Sequence, residues 1–398
     1  MATKFTPEQR KAIELRDKNI LVCAAAGSGK TAVLVQRIIE IITNDIDPVD
    51  IDRLLVVTFT NAAAAEMRER IGLALGAALE KNPECVHLQK QLSLLHNAQI
   101  TTIDSFCLFL IRNNFNDIGL DPGFRIADEG ELTLLKQDVL SELLEDQYQE
   151  RDPRFLHCVE YFTGGSNDKM LEEYLEGLYE FSMSYPWPED WISQCKNDYK
   201  ITDIIEMQKT PWCEFLVSYI QRMVRECKRD MEFAITLSLR SDGPYMYSAV
   251  LEQEDEMIGK LCTADSFSDF YRMFQTISFG RLPAKKDDTV DLTLREKVQQ
   301  IRKEIKKRLE MLEGAYFALS PEQALARMEQ AGPAVEELLS LVLLYKERLD
   351  AKKRRDNIID FHDMEHFALQ ILLNRQEDGS YCTSAAAKEY RQYFKEIL

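Results

Sequence analysis

Residues 21–39, LVCAAAGSGKTAVLVQRII, pass from an apolar run through a small-residue turn into an amphipathic stretch. Ile20, Leu21 and Val22 read as a buried strand and Ala24–Gly29 as a loop. From Lys30 onward, Val33, Leu34, Ile38, Ile41 and Ile42 recur at helical spacing. Strand, small-residue loop, then helix is the context a phosphate-binding loop requires. Backbone N–H groups of Ala24, Ala25, Ala26, Gly27, Ser28 and Gly29, with those of the helix N-terminus, would point at phosphate oxygens. Lys30 would reach the β- and γ-phosphates, and the Thr31 hydroxyl would ligate Mg²⁺. The strict pattern begins with glycine, whereas here Ala24 takes that place. The structural alternative is an ordinary glycine turn between a strand and a helix. The reading adopted is nucleotide binding.

The chain around this loop has 398 residues, room for two or three domains with real cores. It holds no apolar run of the roughly 18 residues that a membrane helix needs, and its start, MATKFTPEQRKAIELRDKN, lacks the apolar segment of a secretory signal. Nine scattered cysteines with no C-x-x-C pair predict a reducing cytoplasm, without a disulfide framework or zinc ribbon. The net charge of −18 argues against a simple nucleic-acid coat, because phosphate contacts need Lys and Arg. A local basic groove is still compatible with it. Two basic stretches occur, at 294–308 and 346–355, and the first reads as a solvated helix face.

Up to about residue 115, β-rich runs (NILVCA, RLLVVTF and a short QIT) alternate with helical patterns at 7–17, 30–44, 61–81 and 103–115. That alternation predicts a parallel sheet covered by helices, an α/β class. From about 130 to 350 long amphipathic segments follow one another without strand alternation. The last segment returns to α/β character, so a helical domain is expected to interrupt the first one.

Several short motifs carry candidate chemistry. In FTPEQRKAIE (5–14), Thr6 and Gln9 can form a capping box, with Pro7 at the first helical position. The capping box is the favoured reading of Gln9 taken alone; the other is that its amide reads an adenine edge. In LLVVTFTNAAAAEMRERI (54–71), Thr58, Thr60 and Asn61 lie at a strand end and helix start, where they could hold a phosphate oxygen or cap the helix. ITTIDSFCLFLIRNNF (100–115) repeats the pattern with Thr102 or Asp104 as cap and Ser105 beside it. There Phe106 is either a base-stacking ring or a core residue. HDMEH (362–366) matches H-x-x-E-H, a zinc-protease pattern. Asp360 as N-cap with Asp363 three residues on explains the same stretch as a helix start, and zinc is not expected.

Together these motifs resemble superfamily-one DNA helicases of the UvrD/Rep type, and most closely the AddA subunits of bacterial AddAB helicase–nucleases. FTPEQRKAIE is similar to the family's Q motif, and AAAGSGKT to its phosphate loop, in which alanine at the first place is usual. VVTFTNAAAAEMRERI and TTIDSFCLFLIR resemble its two strand-contacting motifs, and LDPGFRIADEGE (120–131) and IIDFHDMEHFALQIL resemble the segments that bracket its helical insertion. The resemblance implies a RecA-like first domain at 1–130, a helical inserted domain at 131–350, and a return to the first domain at 351–398. It further implies ATP and Mg²⁺ as cofactors, with Gln9 on adenine, Lys30 and Thr31 on phosphates and metal, and Arg37 near the nucleotide. Thr58, Thr60, Asn61, Thr102, Ser105 and Phe106 would touch single-stranded DNA. An AddB-like partner subunit, 3′ to 5′ movement in double-strand-break repair, duplex DNA as the wider substrate and a bacterial cytoplasmic, nucleoid-associated location follow from the same resemblance, with no membrane partner. The family's Walker B acids should follow a strand into which YRQYFKEIL leads, and the chain stops at Leu398. The expectation is an N-terminal part of a longer protein that binds ATP–Mg²⁺ weakly and hydrolyses it at no more than background. Two other readings compete: a stand-alone P-loop NTPase or kinase using Asp360 as the Walker B acid, and a non-catalytic helical interaction module.

Overall fold

In the computed structural model the described residues are 5–25, 27–44, 46–164, 167–284 and 287–398. The chain divides into two units, one of residues 1–139, 183–187 and 346–398, the other of residues 140–182 and 188–345. The first opens with α1 (Pro7–Glu14), α2 (Lys30–Ile42), β1 (Leu54–Thr58), α3 (Asn61–Lys81), α4 (Val86–Leu94), β2 (Gln99–Thr102), α5 (Ile103–Asn114) and β3 (Arg125–Ile126). Next come α6 (Glu129–Glu150), α7 (Pro153–Thr163), α8 (Lys169–Ser182), α9 (Pro188–Asp198) and α10 (Ile204–Gln208). They are followed by α11 (Pro211–Ser238), α12 (Ser248–Leu261), α13 (Phe267–Phe274), α14 (Leu292–Tyr316) and α15 (Pro321–Arg355). The chain returns through β4 (Ile358–Ile359), α16 (Phe361–Leu372), the hairpin β5 (Leu373–Arg375) and β6 (Tyr381–Thr383), α17 (Ala385–Tyr393) and β7 (Glu396–Ile397). The chain is thus mixed α/β, mostly helical, with a small parallel sheet.

That sheet is built on β1. Leu54, Leu55 and Val56 are buried in succession, the pattern of a strand covered on both faces. β1 lies between β2 and β7, parallel to both. The register sets Val56 opposite Ile100 and Thr58 opposite Thr102, so the two strands end level. Ile38, Ile41 and Ile42 of α2 join Met67, Ile71 and Leu75 of α3 in the core around the sheet. A second cluster joins Leu110 and Ile111 of α5 to Met364, Ala368 and Ile371 of α16. Fully burying side chains of this size contributes about 1.5–3 kcal/mol each.

The first expected strand is not formed. Residues 19–25 have no regular structure, and Leu21 is 90% exposed. A strand gains its backbone hydrogen bonds from a ladder, and among the described residues nothing pairs with this run. Helix α4 has no counterpart among the expected helices; its Gln91 is buried, where the amide accepts from the Ile51 N–H at 2.8 Å and donates to Asp50 at 2.5 Å.

In the second unit every regular element among the described residues is helical. Its core runs along α11, α12 and α14, from Ile220, Val224, Cys227 and Met231 to Leu251, Ile258, Val298, Ile305 and Leu309. These positions repeat at helical spacing, which is why long charged sequences here still bury one face.

Candidate functional site

Helix α2 starts differently from its neighbours. α1, α3, α5, α16 and α17 each begin with a side chain that accepts from an N–H of the first turn: Thr6, Thr60, Thr102, Asp360 and Ser384. α2 has Gly29 in the capping place and no side-chain cap. Its first-turn amides are therefore left for another acceptor. Gly27 (φ +77°) and Gly29 (φ +80°) hold left-handed conformations, which L side chains rarely adopt. The loop they shape is exposed, as is Thr31. Ala26 lies outside the described residues.

Lys30 folds back over this loop, donating to the carbonyls of Ala24 and Ala25, both at 2.9 Å. Gln9 reaches the same loop from α1. Its Oε1 accepts from the Thr6 N–H at 2.8 Å while its Nε2 donates to the Ser28 carbonyl at 3.0 Å. With the reciprocal Gln9 N–H to Thr6 bond, the capping box is complete. One amide thus finishes a helix cap and touches the turn between the two glycines. A cavity of about 1590 Å³ opens beside these groups, lined by Gln9, Ala24, Ser28 and Lys30 among others. An uncapped helix start, two left-handed glycines and a lysine lodged on exchangeable carbonyls suit a polyphosphate, and Thr31 in the first turn suits its Mg²⁺.

The second group of candidates stands at the ends of β1 and β2. Thr60 caps α3 through the Ala63 N–H at 3.1 Å, and Thr102 caps α5 through the Ser105 N–H at 3.2 Å. The Thr102 hydroxyl donates to Ser105 Oγ at 2.9 Å, and the Thr58 hydroxyl donates to the Thr60 carbonyl at 3.0 Å. Asn61 is exposed at the first position of α3. Because the strands end level, the two helix starts sit side by side. Two aromatics stand in this region. Phe106 is half-buried and packs on Phe109 and edge-on to Phe394, with ring centroids 6.1 and 5.8 Å away. Phe59, between the Thr58 and Thr60 hydroxyls, is 100% exposed.

Arg37 lines the same cavity as Lys30 and also ties two segments together. Its buried guanidinium donates to the carbonyls of Ala12 (2.8 Å) and Leu15 (2.6 Å) at the end of α1 and pairs with Glu396 at 3.0 Å. Asp360 likewise does structural work. It caps α16 in a reciprocal box with Asp363, and both carboxylates receive Lys353 Nζ, at 3.2 and 2.7 Å. Burial opposes ionisation of Asp360, yet the Lys353 charge and the Asp363 N–H outweigh it and hold the carboxyl below its usual range. Burial also opposes the Lys353 ammonium, and the carboxylates of Asp363, Asp360 and Asp350 outweigh it, holding Lys353 above its ordinary value. Asp360 does not line the cavity beside Lys30. In HDMEH, the His366 ring nitrogens face the carbonyls of His362 (2.8 Å) and Tyr185 (3.0 Å).

Residues 5–398 match the family described as the UvrD/REP helicase N-terminal domain. Similar curated proteins include the A subunit of the ATP-dependent helicase/nuclease of Lachnoclostridium phytofermentans, 44% identical over 401 residues, which cover 100% of this chain and 29% of that protein. The subunits of the same name from Clostridium beijerinckii and Geobacillus thermodenitrificans are each 42% identical, over 100% of this chain and 32% of those proteins. The chain spans about a third of the length of the curated relatives it matches. With a match from Phe5 to Leu398, the chain belongs to the UvrD/REP helicase family through that family's N-terminal domain.

Proposed function

We propose that this chain is the ATP-binding, strand-contacting N-terminal part of a DNA helicase–nuclease subunit that moves 3′ to 5′ on single-stranded DNA during double-strand-break repair. The observation that carries the reading is the open start of α2, where Lys30 rests on the loop's own carbonyls. A bound triphosphate would draw that ammonium onto its β- and γ-oxygens, and Mg²⁺ would bridge them to the Thr31 hydroxyl. Gln9 would hold the adenine edge while still bound to the loop. Thr58, Thr60, Asn61, Thr102 and Ser105 would present hydroxyls, an amide and helix N–H groups to a strand's phosphates, and Phe59 would stack on a base.

In this reading residues 1–130 and 351–398 form a RecA-like domain and 131–350 an inserted helical domain. The relatives are each named as one subunit of their enzyme, which supports a partner of the AddB kind. Their bacterial origin supports a cytoplasmic, nucleoid-associated setting. Calorimetric titration with ATP–Mg²⁺ tests the nucleotide site. Lys30→Ala is expected to weaken binding about 10–100-fold, the worth of a charge-assisted hydrogen bond of about 1.5–3 kcal/mol. Equal affinity of the variant and the parent chain would overturn the assignment.

A further inference from the structure

Most arginines that the structure pairs have a carboxylate at hand: Arg70 with Glu66, Arg125 with Glu131, Arg154 with Asp152, Arg302 with Glu254 and Arg308 with Asp230. One face of α11 gathers three arginines without such a partner. Arg222, Arg225 and Arg229 fall at i, i+3 and i+7 and have no ion pair among the described residues. They line an open concavity of about 480 Å³ together with Lys228 and Glu232. Lys228 is held by Asp255 at 2.5 Å and faces Glu232 at 3.6 Å, so those two carboxylates are directed at the lysine.

The same helix is aromatic toward its start. Phe215 is 70% exposed and Trp212 38% exposed, and the Arg222 guanidinium lies 5.7 Å above the ring of Tyr219. From residue 212 to 229 the helix advances about 25 Å. Rings followed by unpaired guanidinium groups along one helix are the elements with which proteins hold single strands: bases stack and phosphates pair. A folded acidic protein would satisfy the guanidinium groups, and it would leave the exposed rings without a planar partner.

We propose that the outer face of α11 is a nucleic-acid contact, with the phosphodiester backbone on Arg222, Arg225 and Arg229 and unpaired bases on Phe215 and Trp212. It adds a second contact to the DNA-binding reading above and rests on it. The test is fluorescence anisotropy with the full 398-residue chain, using a labelled oligo-dT and a duplex of equal length at several salt concentrations. Three variants are compared with the parent chain: Arg222→Gln/Arg225→Gln/Arg229→Gln, Phe215→Ala and Asn61→Ala. None of these side chains belongs to a core cluster, and circular dichroism checks the fold.

The triple variant is expected to lower the single-strand salt slope by about 2, at roughly 0.7 for each phosphate no longer neutralised, and to weaken binding at least tenfold at about 0.1 M salt. Phe215→Ala should weaken the single strand more than the duplex. An unchanged slope and affinity in the triple variant, with loss in Asn61→Ala, would overturn the α11 site and leave the DNA-binding reading standing. No binding by the parent chain would overturn both. Displacement of the oligonucleotide by polyglutamate of equal charge as effectively as by unlabelled oligo-dT would overturn the nucleic-acid assignment in favour of an acidic protein partner.

Discussion

Two lysines lie next to helix starts in the first unit, and their settings are opposite. Lys30 is exposed, opens a helix with no side-chain cap, and donates to two carbonyls of its own loop. Lys353 is 2% exposed and joins the two carboxylates that form the capping box of α16. The first set of partners is weak and replaceable, since a neutral carbonyl yields to a phosphate anion. The second is buried and saturated, so any exchange would strand a charge in low dielectric. The contrast separates an exposed, replaceable set of contacts from one that holds the fold. It also explains why Asp360 is not available as a catalytic carboxylate: its charge is already used.

The largest effect should come from breaking the buried set. Lys353→Met leaves Asp360 and Asp363 buried without their cation, and a loss of about 3–5 kcal/mol is expected, read from urea unfolding of the whole chain. A loss below about 1 kcal/mol would place Lys353 with the replaceable kind. Acid should reach the same network more gently. The Asp360 carboxyl titrates below its ordinary value of about 3.9 in the fold. Its contribution is therefore complete above that value and is lost as pH falls through the lower folded one. Lys353, held above its ordinary value, keeps its contribution below about pH 10.4 and loses it only as pH rises through the higher folded value. Stability measured from pH 7 down to pH 2.5 should thus fall less steeply for Asp360→Asn than for the parent chain. Parallel acid limbs would sink this account.

The two phenylalanines sharpen the comparison at the strand ends. Phe59→Ala is expected to weaken single-strand binding by about 1–3 kcal/mol with little change in stability. Phe106→Ala should do the reverse, since its ring is packed on Phe109 and Phe394. The smallest effect belongs to Lys30→Ala, whose unfolding free energy should stay within about 0.5 kcal/mol of the parent value, as for other exposed substitutions away from the core. A larger loss would mean that Lys30 also supports the fold.

The features legible in the sequence are those fixed by local chemistry. Thr6 with Gln9, Thr60, Thr102, and Asp360 with Asp363 each signal a helix start through one side chain and one nearby amide, and each does form that cap. What misleads is periodicity without knowledge of partners. Ile20–Val22 has the composition of a buried strand, but a strand exists only with a ladder, which no local pattern supplies. The partners of Arg37, the end of α1 and Glu396 far along the chain, cannot be read from its local spacing. Phe106 and Phe59 are alike as letters; packing alone tells them apart. Lys353 passes for one more charge in KERLDAKKRR, because burial at a helix end depends on Asp360 and Asp363, which lie beyond the helix.

The place of β7 carries a consequence in time. The strand beside Leu54 and Leu55 is supplied by Glu396 and Ile397, and Arg37 meets Glu396 across 359 residues. At synthesis rates of about 5–20 residues per second, α2 waits roughly 20–70 s for that partner. The helices from α6 to α14 find their partners at shorter separations, as where Asp230 of α11 meets Arg308 of α14, 78 residues on, so their lower contact order lets them condense first. The sheet beside the phosphate loop closes after them. During that interval β1 offers one unpaired edge, a period in which a nascent chain of this family most needs protection from pairing with another.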